Sequence, residues 1–206
     1  DIEPSRGLGD VYKRQEGRSS KDFEKTLGFL ESNQKDVHDL LIKYTDACFL
    51  YLRKQVQSGA DVIQIFDSWA NLLTKEDLIE FSFNYINSLI SALKLDPVTK
   101  NIPVIVFARN PKCNIEELIN TSADCISLFW SMNDLNFELA KNKVAIQGNL
   151  DPKILLESDE IIKRETYKIL EKFEKYPGYI FNLGHGITPD INPDKIKYLT
   201  NIVREY

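Results

Sequence analysis

Two hydrophobic periods take turns along this chain. From Val37 to Leu52 the residues Val37, Leu41, Tyr44, Cys48 and Leu52 recur at spacings of three and four, which puts them on one face of a long helix starting near Asp36. Gly59 is placed to end that helix, since glycine takes a left-handed turn without steric cost. A shorter helix precedes it, with Phe23, Leu27 and Leu30 on one face and Ser19 or Ser20 as its cap. Then the pattern changes. Val62-Ile-Gln-Ile-Phe66 is rich in β-branched and aromatic residues and predicts a strand. Ile102–Phe107, Asp124–Phe129, Val144–Gln147 and Tyr179–Asn182 predict four more.

Helical sequence follows each strand. Thr74 with Asp77 forms a variant capping box for a helix that turns Leu78, Phe81 and Tyr85 inward. Asn114 with Glu117 caps a short helix, and another is expected near Asn133 to Lys141. Asp151-Pro152 sets a cap before a proline in the first helical turn, ahead of a helix over Asp159–Phe173. Asn192-Pro193 repeats the device and opens a terminal helix. Two helices followed by five strand–helix units imply an α/β fold whose parallel sheet is covered by helices. Periodicity leaves an open sheet and most of a barrel equally open.

Composition narrows the classes. The 206 residues suffice for one sizeable core, and 43% hydrophobic with 28% charged residues is the balance of a soluble globular protein. The net charge of −5 is spread along the chain, which argues against a broad nucleic-acid surface but leaves an anionic small molecule compatible with local arginines or lysines. Cys48, Cys113 and Cys125 are odd in number and lack CxxC spacing, so reduced thiols are expected. There is no apolar run of the ~18 residues that span a bilayer and no signal-like start, so a cytoplasmic protein with no membrane partner is expected. Residues 1–15 carry two glycines, one proline and no period, and are read as a non-native segment ahead of the body of the chain, 16–206.

The chemistry-bearing candidates lie where strands open into loops. There is no GxGxxG, GxxxxGK[ST], HExxH or GxSxG pattern. His185 stands between Gly184 and Gly186 just past the fifth strand. It is either a hydrogen-bonding or proton-transfer group facing a pocket, or a loop histidine bonded to backbone. The other histidine, His38, lies among charged residues and reads as a solvated surface group. Past the first strand, Ser68 can offer a hydroxyl to a ligand, with Phe66 or Trp69 as an apolar wall. The alternative is a serine cap with aromatic packing. Asp151 reads as a helix cap, Arg109 as a rim charge or a forked donor to a carboxylate, and Trp130 as core or pocket wall.

Glu16-Gly17-Arg-Ser-Ser-Lys-Asp-Phe23, Gly59-Ala-Asp-Val-Ile-Gln-Ile-Phe-Asp-Ser-Trp-Ala70, Gln147-Gly-Asn-Leu-Asp-Pro152 and Phe181-Asn-Leu-Gly-His-Gly-Ile187 occur in that order along the chain. Together they resemble the uroporphyrinogen decarboxylase family, over essentially all of 16–206. The resemblance implies a (β/α)8 TIM barrel, incomplete here with about five C-terminal strands and their helices, and an active site at the carboxyl ends of the strands. It implies a carboxy-lyase of haem and chlorophyll biosynthesis that removes CO2 from the four acetate side chains of uroporphyrinogen III to give coproporphyrinogen III. It further implies a homodimer without metal or organic cofactor. By motif, Ser68 and His185 match the substrate-contacting serine and histidine, the latter on a substrate carboxylate, and Phe66 matches a pocket aromatic. The family's arginine motif, pocket aspartate and pocket tyrosine have no counterpart in this sequence, so a C-terminal part of the enzyme behind a foreign N-terminus is expected, inactive by itself. Phe129 occupies a position where the family usually has aspartate. Two alternatives stand beside this reading. One is a catalytically inactive fragment or binding module of the same fold. The other is a zinc- and cobalamin-dependent methyltransferase of the superfamily, which needs a His-x-Cys pair that the sequence after His185 does not supply.

Overall fold

The computed structural model describes residues 23–132 and 136–206; the expected N-terminal segment and the Ser19 or Ser20 cap lie outside them. The chain divides into two compact units, residues 1–124 and 125–206.

The first unit opens with α1 (Glu24–Ser32) and the long α2 (Gln34–Gln57). Phe23, Leu30, Val37 and Leu41 are buried, as the helical period requires, and Gly59 follows α2 at φ 100°. Strand β1 (Ile63–Asp67) lies parallel to β2 (Val104–Ala108), with Ile63 opposite Val104 and Phe66 opposite Phe107. Every residue of β2 is buried, the signature of a strand covered on both faces. Between the two strands runs a helical segment in three parts: α3 (Lys75–Leu78), a π-helical turn (Ile79–Phe83) and α4 (Asn84–Leu95). Thr74 caps it as expected. Its Oγ1 accepts from the Asp77 amide at 3.1 Å and donates to the Asp77 carboxylate at 2.7 Å. The π turn is marked by the Asn84 amide, which reaches back five residues to the Ile79 carbonyl. The Asn114–Glu117 capping box opens α5 (Ile115–Ile119).

In the second unit β3 (Cys125–Ser127), β4 (Ala145–Gln147) and β5 (Tyr179–Ile180) pair in parallel, β3 with β4 and β4 with β5. The expected helix near Asn133 to Lys141 is corrected. Its described residues hold a single 3-10 turn, Phe137–Leu139, and 133–135 lie outside the described residues. Asn142, left-handed at φ 62°, stops the turn from extending toward β4. Asp151 accepts from the Lys153 amide at 2.9 Å and caps the 3-10 turn Pro152–Leu156, in agreement with the cap reading. Helices α6 (Asp159–Phe173) and α7 (Pro193–Glu205) pack around Leu150, Leu155, Ile162, Ile191, Leu199 and Ile202. Asn192 caps α7 through the Asp194 amide at 2.9 Å.

Thr74→Ala removes both contacts of this cap. It should lower stability by about 1 kcal/mol, read as a lower urea midpoint at unchanged slope.

Candidate functional site

Ser68 and Phe66 belong to the first unit and His185 to the second. Within each unit the paired strands run parallel, so their carboxyl ends lie on one side of that unit's sheet and position the group that follows them.

β1 extends one residue further than the sequence predicts, to Asp67, and this residue organises the end of the strand. Asp67 is only 3% exposed. One carboxylate oxygen, Oδ2, accepts from the Ser82 hydroxyl at 2.6 Å, and the other, Oδ1, accepts from the Trp69 amide at 3.3 Å. The second contact closes an Asx turn around Ser68. The Arg109 amide donates to the Asp67 carbonyl at 2.9 Å and fixes the backbone entering that turn. Ser68 itself is half-buried and caps no helix. Trp69 is the residue preceding the 3-10 turn Ala70–Leu72, and its ring packs against Phe23 at 4.5 Å. Burial raises the Asp67 pKa above its ordinary 3.8, opposed by the donors Ser82, Trp69 and Ala70. The folded chain therefore holds this proton more tightly than the unfolded one. The contribution to stability is present in full below 3.8 and is lost as pH rises through the raised value.

Phe66 is 45% exposed, with its ring 5.8 Å from that of Phe107. A cavity of about 160 Å³ lies between α2 and β1, lined by Cys48, Tyr51, Leu52, Gln55, Gln64, Ile65, Phe66 and Leu89. Ser68 is not among its described lining residues, so the geometry does not bring the two onto one hollow.

His38 is corrected. It is not a solvated surface residue but a half-buried link between helices: its Nδ1 stands 2.6 Å from the Tyr85 hydroxyl and its Nε2 3.2 Å from the Glu80 carboxylate. Burial, then Glu80, raises the Tyr85 pKa and keeps its phenol protonated. In the neutral ring the phenol donates to Nδ1, and Nε2–H donates to Glu80. In a regular α-helix Glu80 and Tyr85 would point about 140° apart. The π turn adds one residue to the turn and brings them to the same face.

In the second unit three strand ends converge. His185 is exposed, with Nδ1 3.4 Å from the Gly186 carbonyl and the Phe129 ring edge-on at 5.9 Å. Asn149, buried past β4, donates to the Phe129 carbonyl at 3.2 Å and to that of Trp130 at 3.4 Å. The loop carrying His185 is fastened beside β4. The Leu150 amide donates to the Asn182 carbonyl at 3.2 Å, the Gly184 amide to the Leu150 carbonyl at 2.8 Å, and Leu150 bridges Leu183. Regular β5 is thus shorter than expected, with pairing continued by single contacts. The Tyr179 hydroxyl donates to the Gly148 carbonyl, and its ring stacks on Phe173 at 4.5 Å. Trp130 is 37% exposed and is therefore not a core residue.

The glycines flanking His185 differ in kind. A Cβ on Gly184 would stand 2.3 Å from the Trp130 nitrogen, whereas one on Gly186 meets nothing within 4 Å. Gly184 is there for close backbone approach, not for freedom around the imidazole. Among the described residues no disulfide joins Cys48, Cys113 and Cys125, and burial pushes the Cys113 thiol up to about 12, so it offers no thiolate nucleophile. Among the described residues no group of three His, Cys, Asp or Glu gathers to hold a metal ion, and no helix is long and apolar enough to cross a membrane.

The family model of uroporphyrinogen decarboxylase matches residues 14–206. The chain belongs to this family. Uroporphyrinogen decarboxylase of Ruthia magnifica subsp. Calyptogena magnifica is 39% identical over 193 residues, 93% of this chain and 55% of that protein. The Aquifex aeolicus enzyme is 39% identical over 191 residues, again 93% of this chain and 55% of its own length. The chain therefore spans about half the length of the curated relatives it matches. Among solved structures, a methyltransferase from Methanosarcina mazei superposes with a TM-score of 0.76 at 18% identity, covering 97% of this chain and 57% of the other. That likeness speaks for the fold alone. The fold is α/β with parallel strands, that of a partial (β/α)8 barrel.

Gly184→Ala should destabilise the chain by about 2 kcal/mol or more, and Gly186→Ala by less than about 0.5, in parallel urea titrations.

Proposed function

We propose that this chain carries substrate-binding groups of a uroporphyrinogen decarboxylase, a carboxy-lyase acting on the acetate side chains of an anionic tetrapyrrole. The supporting observation is the family match over 14–206, together with motif residues Ser68 and His185 just past the carboxyl ends of β1 and β5. The activity belongs to a complete protein of the relatives' length, acting as a homodimer. The 206 residues expressed alone are expected to be inactive.

Losing CO2 from a pyrrole acetate needs an electron sink. Protonating the pyrrole ring provides one: the carbon–carboxylate bond breaks, its electron pair neutralises the ring cation, CO2 leaves, the new methylene takes up a proton to become methyl, and the ring gives up the proton it had gained, which restores the neutral pyrrole. The ring cation needs a carboxylate nearby. In this chain His185 binds a substrate carboxylate, as hydrogen-bond donor and, when protonated, as counter-charge. Ser68 donates its hydroxyl to substrate, and Phe66 presents an apolar face to the macrocycle. Phe129, packed edge-on to the His185 ring, limits the orientations the imidazole adopts.

In the complete protein, His185→Ala should raise the KM for uroporphyrinogen at least tenfold while changing stability by less than about 1 kcal/mol. Steady-state kinetics beside thermal unfolding measure both. Unchanged turnover and KM would remove His185 from the site.

A further inference from the structure

We propose that Asp67 and Ser82 form a positioning pair that sets Ser68 for substrate, with Ser82 delivered by the π turn; this rests on the reading of Ser68 as a substrate contact. Three observations meet here. First, Asp67 brackets Ser68 on both sides: its backbone carbonyl takes the Arg109 amide at 2.9 Å, and its side chain takes the Trp69 amide at 3.3 Å. Ser68 is the single residue between two fixed points, and a shift of either moves its hydroxyl. Second, the far oxygen of the same carboxylate is held at 2.6 Å by Ser82, which has no exposed surface. A carboxylate so deeply buried lacks water to replace a lost donor, so this bond decides the side-chain rotamer. Third, Ser82 lies inside the π turn Ile79–Phe83. The extra residue of that turn lets Ser82 face the strand end while Glu80 and Tyr85, on another face, both reach His38. A π turn interrupts regular helix bonding and persists only where neighbours over-determine it. Here the neighbours are His38 on one side and Asp67 on the other.

Asp67 and Ser82 thus act through Ser68 and do not themselves touch substrate. The test is a double-mutant cycle on kcat/KM for uroporphyrinogen in the complete protein, with Ser68→Ala, Ser82→Ala and both together. Each single variant should lose about tenfold, mostly in KM, and the double variant no more than Ser68→Ala alone. Additive losses, or an unaffected Ser82→Ala, would overturn the positioning pair. An unaffected Ser68→Ala would instead overturn the reading of Ser68, and the pair with it. If Ser82→Ala does not fold, Asp67→Asn against Asp67→Ala decides. Asn can accept from the Trp69 amide and still hydrogen-bond Ser82, so it should keep a near-native KM and pH profile while Ala raises KM. A loss in kcat shared by Asn and Ala would mean that Asp67 takes part in the chemistry, and would contradict positioning.

Discussion

A buried carboxylate at the end of a strand governs the first unit. Asp67 lies almost without exposure where β1 stops, an environment that disfavours its charge, and it is tolerated because three donors converge on it. Its contacts reach outward in order. The Asx turn fixes Ser68 and Trp69, Trp69 packs on Phe23 at the start of α1, and Ser82 ties the strand end to the π turn between α3 and α4. The π turn in turn presents Glu80 and Tyr85 to His38 on α2. Without the hydrogen bond to Ser82, a buried acceptor would lack its nearest donor, and removing such a partner costs roughly 1–3 kcal/mol.

The second unit solves a similar problem with backbone. There the loop past β5 has no buried charge to organise it. It is fastened by the Gly184 amide on the Leu150 carbonyl, by the Leu150–Leu183 bridge, and by the approach of Gly184 to Trp130 that any side chain would block. Asn149 then fixes the Phe129–Trp130 carbonyls, and Phe129 meets the His185 ring edge-on. Phe129 gives the histidine an apolar aromatic neighbour. The imidazole is thereby held by ring contact.

Much of this was legible in the chain. The β-branched runs placed all five strands to within two residues at each start, because buried parallel strands need that composition. The Thr74, Asn114, Asp151 and Asn192 caps were readable because each depends on residues adjacent in sequence. The end of β5 was overextended because single bridging contacts look, in sequence, like strand. The π turn was invisible. What favours it, the pairing of Glu80 and Tyr85 with one histidine, needs α2 in place. The His38 link is hidden from sequence for the same reason: charged neighbours along its own helix say nothing of a tyrosine 47 residues away. Asp67 did leave a signal, an acidic residue continuing an otherwise apolar strand, but Ser68 beside it drew the functional reading.

The most direct test of this account is the titration of the Asp67 carboxyl carbon by NMR in the chain and in Ser82→Ala. Burial should place the Asp67 midpoint above 3.8, and loss of the Ser82 hydroxyl should move it further up, since that bond favours the charged form. A midpoint at or below 3.8 that does not respond to Ser82→Ala would mean that the carboxylate faces solvent, and that the turn around Ser68 is held by something else.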